Sequence, residues 1–309
     1  MKAVVTGGAG FIGSHIHEKL IELKHDVLVL DNLSTGKKEN IHPKAWFVNC
    51  DMCDREGIQR VFDIFMPDVV FHLAAQNEVP YSMTHPYEDA NTNIIGMMNL
   101  LEAAKRYKSK IIYSNTGGAS YGDVPADSFP ILEDEPVIRP TSFYGVSKSC
   151  AELYLKLYGN LYDIPWVSFR YPNVYGPRQD GNREVGIVAM FTQKLLGGEI
   201  PTINGDGLHS RDYIYVSDVV DANIAAMTYG QNDYFNIATG VPTTNNKVFK
   251  VLKDKLKTKI KPVYGPDRPG DARYNYLSPA KAEKSLHWKA KVSFEQGIDL
   301  TINYYLQRR

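Results

Sequence analysis

The 309-residue chain lacks a net charge and lacks long apolar runs. Its 35 Lys and Arg residues balance its 35 Asp and Glu residues, so no global field attracts nucleic acid or an anionic membrane. No apolar run approaches the roughly 18 residues of a membrane span. One Lys followed by a few apolar residues and then glycines does not resemble a signal peptide. We therefore expect a cytoplasmic protein with neither a nucleic-acid nor a membrane partner.

Cysteine is also scarce, since the chain contains only Cys50, Cys53 and Cys150. Cys50 and Cys53 form a C-x-x-C pair, but no second Cys or His pair stands at zinc-ligand spacing. The eight His residues form no His-Glu-x-x-His motif. We expect reduced thiols that pack as small apolar side chains, and no metal site.

A glycine-rich loop stands near the start of the chain. A β-branched run over residues 2–6 predicts a buried strand, and residues 14–23 predict a helix. Four glycines separate the two: Gly7, Gly8, Gly10 and Gly13. Such glycines let the backbone approach a pyrophosphate, whose charge meets the free N–H groups of the helix start. Asp31 follows the second predicted strand, where a carboxylate can accept ribose hydroxyls and would repel the 2′-phosphate of NADP, so the sequence favours NAD.

Strands and helices continue to alternate through the first half of the chain. Further strands are predicted over residues 27–30, 46–49, 69–73 and 110–114, and further helices over 58–65 and 91–107. This alternation implies an α/β fold with a Rossmann-type doubly wound parallel sheet. Its ligands would lie at the carboxyl ends of the strands, where small Ala74 and Ala75 leave room for a cofactor.

Tyr144 and Lys148 are four residues apart and therefore share one face of a predicted helix. Thr141 or Ser142 can cap the start of that helix. An ammonium beside a phenol favours the phenolate, so the spacing predicts that the pKa of Tyr144 falls from about 10 toward neutrality and that Tyr144 is a general base. The hydroxyl of Thr116, just past the fifth strand, can hydrogen-bond a substrate alcohol beside this phenolate.

Taken together, these motifs resemble the extended short-chain dehydrogenase/reductase family and, within it, the UDP-glucose 4-epimerase group of nucleotide-sugar enzymes. The resemblance runs essentially from end to end. It is carried by residues 6–13 (TGGAGFIG), 31–36 (DNLSTG), 72–76 (HLAAQ), 92–93 (TN), 144 with 148 (Tyr and Lys), 170–177 (RYPNVYGP) and 211–214 (RDYI).

The resemblance implies an NAD site. It implies that Gly7, Gly10 and Gly13 hold the pyrophosphate and that Lys148 contacts the nicotinamide ribose and tunes Tyr144. The further cofactor-binding residues that it implies are Phe11, Ile12, Asp31, Asn32, Ser34, Thr35, Gly36, Asp51, Met52, Leu73, Ala74, Ala75, Gln76, Asn93, Ser114, Tyr144, Tyr171 and Val174.

The resemblance also implies a UDP-sugar substrate. It places Asn173 at the nucleotide-sugar phosphates, Arg211 and Arg268 on the pyrophosphate, and Asp271 near the uridine. The planar fork of Arg suits a diphosphate. The predicted substrate-binding set is Thr116, Tyr144, Asn173, Arg211, Arg268, Asp271 and Asn275.

Two units are predicted along the chain. Residues 1–177 should form the NAD-binding Rossmann domain, to which segments near 212–240 return. Residues 178–211 and 241–309 should form mainly a smaller C-terminal α/β lobe that binds the nucleotide sugar.

The expected reaction is inversion of C4 of a UDP-hexose (the glucose/galactose pair or its N-acetylated counterpart) through a transient 4-keto sugar. Related dehydratases carry an Asp-Glu pair directly after the active-site Thr, and decarboxylases carry a Glu close behind it, whereas Gly117 and Gly118 follow Thr116 here. A UDP-glucuronate 4-epimerase and another dehydratase or decarboxylase stay open as alternatives. A catalytically dead nucleotide-binding regulatory protein is a further one.

Two expectations concern specificity and assembly. Asn275 stands where related enzymes strict for unsubstituted hexoses have a Tyr, so its smaller side chain favours room for an N-acetyl group. The family is usually dimeric through a four-helix bundle, which would use the predicted helices over 91–107 and 144–159. Their apolar residues Leu100, Leu101, Leu153 and Leu157 fit either such an interface or the sheet core.

Overall fold

The structure is a computed structural model that describes residues 1–136, 139–181, 186–267 and 272–308. Apolar runs rich in β-branched residues form the central strands, such as Lys2–Thr6, in which Val4 and Val5 are fully buried. The strands are β1 (Lys2–Thr6), β2 (Asp26–Asp31), β3 (Trp46–Asn49), β4 (Val69–His72), β5 (Lys110–Thr116), β6 (Trp166–Tyr171), β7 (Asn173–Tyr175), β8 (Thr202–Asn204), β9 (Ser210–Tyr215), β10 (Asp233–Asn236), β11 (Pro242–Thr244), β12 (Val263–Gly265) and β13 (Tyr274–Asn275).

Seven of these strands form one parallel sheet in the order β3-β2-β1-β4-β5-β6-β10. The register places Ala3 of β1 between Val27 of β2 and Val69 of β4. The strand order reverses between β1 and β4, which is where a parallel α/β sheet opens a crevice at its carboxyl edge. The predicted α/β, doubly wound fold class is confirmed.

Helices pack on both faces of this sheet. They are α1 (Phe11–Glu22), α2 (Arg55–Phe65), α3 (Val79–Thr84), α4 (Pro86–Ala90), α5 (Gly96–Lys105), α6 (Gly117–Ser120), α7 (Phe143–Tyr162), α8 (Ile187–Gly197), α9 (Val216–Ala225), α10 (Asn245–Lys255), α11 (Ala280–Ser285) and α12 (Phe294–Leu306). Short 3-10 turns occur at Lys38–Asn40 and Ala126–Ser128, and a π-helical turn at Asn91–Ile95 leads into α5.

Two apolar layers sandwich the sheet, because successive residues of a strand point to opposite faces. Val5 and Phe71 join the layer that α1 and α9 cover, whereas Val4 and Val70 join the layer that α2, α5 and α7 cover. A third cluster, around Tyr175, fills the smaller lobe between β7, β9 and helices α8, α10 and α12.

Strand β10 lies far along the chain yet forms the edge of the seven-stranded sheet beside β6. In the smaller lobe, β9 pairs with β7, β11 and β13. The buried carboxylate of Asp212 on β9 accepts hydrogen bonds from the backbone N–H groups of Thr239 (3.1 Å) and Gly240 (2.8 Å), just past β10. The two sheets are therefore tied together where the chain passes from one to the other.

A buried ion pair fixes helix α7 against the sheet. Glu152 on α7 accepts from the guanidinium of Arg170 on β6 at 2.6 Å, and the two side chains are only 8% and 3% exposed. Asn115 of β5 and Ser168 of β6 donate to the same carboxylate at 2.8 and 2.5 Å. Arg170 in turn donates to the hydroxyl of Tyr121 at 2.8 Å, so the orientation of α7 is set by polar groups that all have partners.

Replacement of Glu152 by Ala leaves the Arg170 charge buried without its partner. We expect Glu152→Ala to lower the free energy of unfolding by about 3–5 kcal/mol. Asp254→Ala is the matched control, because it removes an exposed carboxylate paired with Lys250 at 2.8 Å and should change stability by less than ~0.5 kcal/mol. Urea unfolding followed by circular dichroism measures both, and equal losses in the two variants would contradict the expectation.

Candidate active site

One cavity of about 530 Å³ opens at the carboxyl edge of the seven-stranded sheet. Most of the residues predicted to bind the cofactor or the substrate line it. These are Gly7, Gly10, Phe11, Ile12, Gly13, Asp31, Asn32, Ser34, Thr35, Asp51, Met52, Leu73, Ala74, Ala75, Ser114, Thr116, Tyr144, Lys148, Tyr171, Asn173, Val174, Arg211 and Asn275.

The glycine loop is shaped by close backbone contacts that exclude side chains. Gly7 has φ +65°, and a Cβ there would lie 2.7 Å from the backbone nitrogen of Ala74. A Cβ on Gly13 would lie 2.3 Å from the carbonyl oxygen of Gly7. Helix α1 begins directly after Gly10, with no capping side chain and no acid in its first turn. Its free N–H groups can therefore receive an anion, and the loop fits a dinucleotide pyrophosphate.

Asp31 is held at the end of β2 by the backbone of two loops. One carboxylate oxygen accepts from the N–H of Ala9 at 2.9 Å, and the other accepts from the N–H of Leu33 at 2.8 Å. Next to it, Asn32 donates to Asp51 at 2.6 Å. The carboxylate is thus fixed beside the glycine loop with lone pairs left over for ribose hydroxyls, which fits NAD and repels a 2′-phosphate.

Helix α7 brings Tyr144 and Lys148 to the cavity, and Ser142 rather than Thr141 caps it by accepting from the N–H of Gly145 at 3.1 Å. The Tyr144 phenol lies near the hydroxyl of Thr116 at the end of β5. Lys148 is buried, and its ammonium lies 4.4 Å from the ring centroid of Tyr113. The three predicted catalytic side chains are therefore brought together at one end of the cavity.

The predicted lowering of the Tyr144 pKa is wrong for the ligand-free chain. Burial and then the nearby Asp89 charge raise the pKa of Tyr144, and only the hydrogen bond with Thr116 opposes them. Burial lowers the pKa of Lys148 to about 7, against the opposing charges of Asp89 and Glu152. Desolvation disfavours the charged form of each group, so helical spacing alone does not produce a phenolate here.

Five predicted residues do not line the cavity or cannot be placed. Gly36 lies behind it, where a Cβ would be 2.8 Å from a carboxylate oxygen of Asp31. Gln76 and Asn93 hydrogen-bond each other at 3.0 Å beneath the cavity floor. Arg268 and Asp271 fall outside the described residues.

The structure adds groups near the site that sequence reasoning missed. Lys37, Asn40 and Cys50 line the cavity on the Asp31 side. Asp89, almost fully buried on α4, is near enough to Tyr144 and Lys148 for its charge to act on both. The π-helical turn at Asn91–Ile95 interrupts the single helix predicted over 91–107, and such turns are frequent at functional sites. No signal in the sequence links Asp89 to Lys148, since the two are far apart along the chain.

Two features of other protein classes are missing from the described part of the chain. Its helices include none that is both long enough and apolar enough to cross a membrane. Its His, Cys, Asp and Glu side chains form no group of three or more that could hold a metal ion.

The fold and the site define a dinucleotide-binding enzyme of the Rossmann class with a Tyr–Lys pair in its cavity. Comparison with known proteins narrows this class. The model of the NAD dependent epimerase/dehydratase family matches residues 3–238, and the chain belongs to that family.

Three solved structures resemble the chain closely. A UDP-glucose 4-epimerase of Thermotoga maritima, solved with UDP-glucose, is 47% identical with a TM-score of 0.98, covering 100% of this chain and 99% of its own. A UDP-glucose 4-epimerase of Thermus thermophilus in complex with NAD is 41% identical with a TM-score of 0.94, covering 99% of each chain. A UDP-N-acetylglucosamine 4-epimerase of Methanobrevibacter ruminantium in complex with UDP-N-acetylmuramic acid is 35% identical with a TM-score of 0.93, covering 100% and 99%.

Proposed function

We propose that this protein is an NAD-dependent epimerase that inverts C4 of a UDP-hexose through a transient 4-keto sugar. The observation that carries the proposal is the placement of Tyr144, Lys148 and Thr116 in the same cavity as the glycine loop and Asp31. Relatives that are UDP-glucose 4-epimerases over the whole length of the chain support the same activity.

Tyr144 is the proposed general base. Its oxygen takes the proton of the sugar 4-hydroxyl and later returns a proton to the 4-keto oxygen. Thr116, whose hydroxyl lies near Tyr144, orients the same sugar oxygen. Lys148 lies on the next turn of α7, where its ammonium form stabilises the phenolate.

The cofactor supplies the redox part of this reaction. Bound NAD would supply the acceptor and donor of the C4 hydride, and its cationic nicotinamide would add a positive charge to the site. This chain binds it through the glycine loop, the start of α1 and Asp31. Burial raises the pKa of Tyr144 in the ligand-free chain, so in this proposal Tyr144 becomes an effective base only once cofactor and substrate occupy the site.

Inversion requires that the sugar turn over while the nucleotide stays in place. Asn173 on β7 and Arg211 on β9 line the cavity from the smaller lobe, where they are suited to the diphosphate. We propose that they hold the UDP part, together with Arg268 and Asp271 of the undescribed segment. The hexose itself is held only loosely, so it can rotate. Its C4 then faces the catalytic groups of the proposed NAD-binding domain, which comprises residues 1–177 and segments near 212–240.

Dehydration and decarboxylation are disfavoured by the loop after Thr116. Gly117 leaves no room for an acidic side chain at this position, because a Cβ there would lie 2.3 Å from a methyl of Leu277. The acids that line the cavity among the described residues are Asp31, which ends β2, and Asp51 and Asp180, which come after β3 and β7, so none of them stands next to Thr116 of β5. The described part of the site therefore places no carboxylate directly after Thr116 to help expel water, which favours epimerisation.

Tyr144→Phe tests the base. The variant keeps the ring but has no oxygen to accept the proton, so kcat for UDP-galactose should fall by about 100-fold or more, while NAD binding by calorimetry stays near the wild-type value. Tyr162→Phe, at the exposed end of the same helix, is the control and should keep full activity. Near-normal turnover by Tyr144→Phe would refute the assignment.

We further propose that the pocket admits N-acetylated sugars. Asn275 is 2% exposed, and its amide nitrogen donates to the carbonyl of Gly118 at 3.3 Å. Its amide oxygen is buried and has no hydrogen-bond partner among the described residues. Asn275 lines the cavity, and its side chain occupies less space than a Tyr would, which leaves room for an N-acetyl group. The related UDP-N-acetylglucosamine 4-epimerase supports this extension.

Asn275→Tyr should narrow the pocket. The wild type should turn over UDP-galactose and UDP-N-acetylgalactosamine with kcat/KM values within about tenfold of each other, and the Tyr variant should lose more than ~10-fold on the acetylated sugar only. Asn275→Ala, which keeps the space open, is the size control and should retain the acetylated substrate. A wild type inactive on that sugar, with the Tyr substitution changing nothing, would eliminate the proposal.

The protein is further proposed to be a cytoplasmic homodimer built on α5 and α7. Leu100 and Leu101 of α5 are fully buried in the core, whereas Leu153 and Leu157 of α7 are 64% and 50% exposed. The exposed apolar residues of α7 are Phe143, Val146, Leu153, Leu157 and Leu161, which recur at helical spacing. Such a stripe suits the same stripe of a second copy. Cys50, Cys53 and Cys150 are free thiols, which agrees with a reducing compartment.

Leu153→Asp places a charge in this proposed interface. Sedimentation velocity should show a dimer for the wild type and a shift to monomer for the variant, because the charge would be buried without a partner. Leu208→Asp alters an equally apolar exposed residue of the smaller lobe and should leave the dimer intact. A wild type that sediments as a monomer would contradict the homodimer.

A further inference from the structure

A buried carboxylate lies near enough to Tyr144 and Lys148 for its charge to act on both, and it has no role in the reaction as described so far. Asp89 is 1% exposed on α4. One of its oxygens accepts from the side-chain amides of Gln76 at 3.0 Å and Asn93 at 3.1 Å. The other is buried without a hydrogen-bond partner among the described residues. A carboxylate this deeply buried is costly to keep charged. A nearby positive charge would offset that cost.

The same amides connect Asp89 to α7. The Asn93 amide nitrogen also reaches the hydroxyl of Ser147 at 3.0 Å, and Ser147 is the residue before Lys148. The Asn93 amide oxygen accepts from the N–H of Gln76 at 3.0 Å. Gln76 and Asn93, which do not line the cavity, thus fix Asp89 beside the buried turn that carries Lys148.

Lys148 has few sources of negative charge. Burial lowers the pKa of Lys148 to about 7, and the charges of Asp89 and Glu152 oppose that shift. Glu152 already pairs with Arg170 at 2.6 Å, so its charge is compensated. Among the described residues, Asp89 forms no salt bridge with any cation, Lys148 included, so its charge acts on Lys148 through space and is not compensated by a direct ion pair. Its charge is therefore the one left for Lys148.

The other titratable groups around Lys148 do not supply a countercharge. They are His72 on β4, Tyr113 on β5, and Tyr144 on α7. Burial lowers the pKa of His72 to about 3, so this ring is neutral. Burial raises the pKa values of Tyr113 and Tyr144, so both phenols keep their protons in the ligand-free chain.

We propose that Asp89 is a positioning residue for catalysis: its buried negative charge, held by Gln76 and Asn93, keeps Lys148 in the ammonium form that the Tyr144 phenolate requires. Asp89 touches neither the cavity nor the substrate and acts through Lys148. The expected effect of Asp89 on turnover rests on the proposed function, whereas its expected effect on the pKa of Lys148 is independent of that function.

The test measures the protonation of Lys148 directly. The rate at which acetic anhydride acylates Lys148, followed by peptide mass spectrometry as a function of pH, reports the pKa of this one amine. In Asp89→Asn the midpoint should move down by about one pH unit or more, the usual effect of removing an opposite charge. Asp89→Glu, which keeps the charge, should retain a midpoint near the wild-type value.

Glu88→Gln is the matched control, because it removes one negative charge from the residue that precedes Asp89 in the same helix, where the side chain is exposed. Its midpoint should equal that of the wild type. A folded Asp89→Asn with an unchanged midpoint would overturn the proposal. If Asp89→Asn does not fold, Asp89→Ser is measured in its place, and unfolding of both neutral variants would assign Asp89 a structural role instead.

Kinetics separate this inference from the proposed function. The alkaline limb of the kcat–pH profile for UDP-galactose should shift to lower pH in Asp89→Asn by the amount seen in acylation, and should stay in place in Glu88→Gln. Failure of the wild type to turn over any UDP-hexose would defeat the proposed function while leaving the acylation result to decide the role of Asp89.

Discussion

The buried ion pair between Glu152 and Arg170 is the constraint on which the site depends. It joins helix α7 to β6, while Asn115 extends the same network to β5. Tyr144 and Lys148 are carried by α7, and Thr116 ends β5, so one carboxylate fixes the helix and the strand whose side chains must meet. An apolar contact would allow α7 to shift along its axis, whereas the directional hydrogen bonds of a guanidinium–carboxylate pair fix α7 at one position relative to the sheet.

The site combines two electrostatic regions along one cavity. At the Asp31 end, backbone N–H groups hold the Asp31 carboxylate, and the uncapped start of α1 can bind an anion. This end of the cavity therefore stabilises negative charge. At the Tyr144 end, protein atoms surround the ionisable groups and disfavour charge on each of them. If the base charges only when cofactor and substrate are present, as proposed, the ligand-free site stays neutral at this end of the cavity.

The parts of the fold and site that local patterns encode were predicted well. Strand β3 was predicted at its observed residues, 46–49, and the glycine loop was predicted between a strand and a helix, because short-range sterics and apolar periodicity decide both. Helix α1 begins at Phe11 rather than at residue 14, because a glycine start gives no capping signal. The pKa of Tyr144 was predicted in the wrong direction, since spacing shows the Lys148 charge but not the burial that opposes it.

The sequence by itself determined the alternation of strands and helices, the dinucleotide loop and the placement of Tyr144 and Lys148 on one helix face, because each depends on residues close together in the chain. Only the tertiary structure decided which leucines of α5 and α7 are buried. It also brought the buried Asp89 near enough to Lys148 for its charge to act on this amine. Those outcomes depend on desolvation and on charges contributed by distant segments. Such quantities exist only once the elements have packed, so no pattern of neighbouring residues records them.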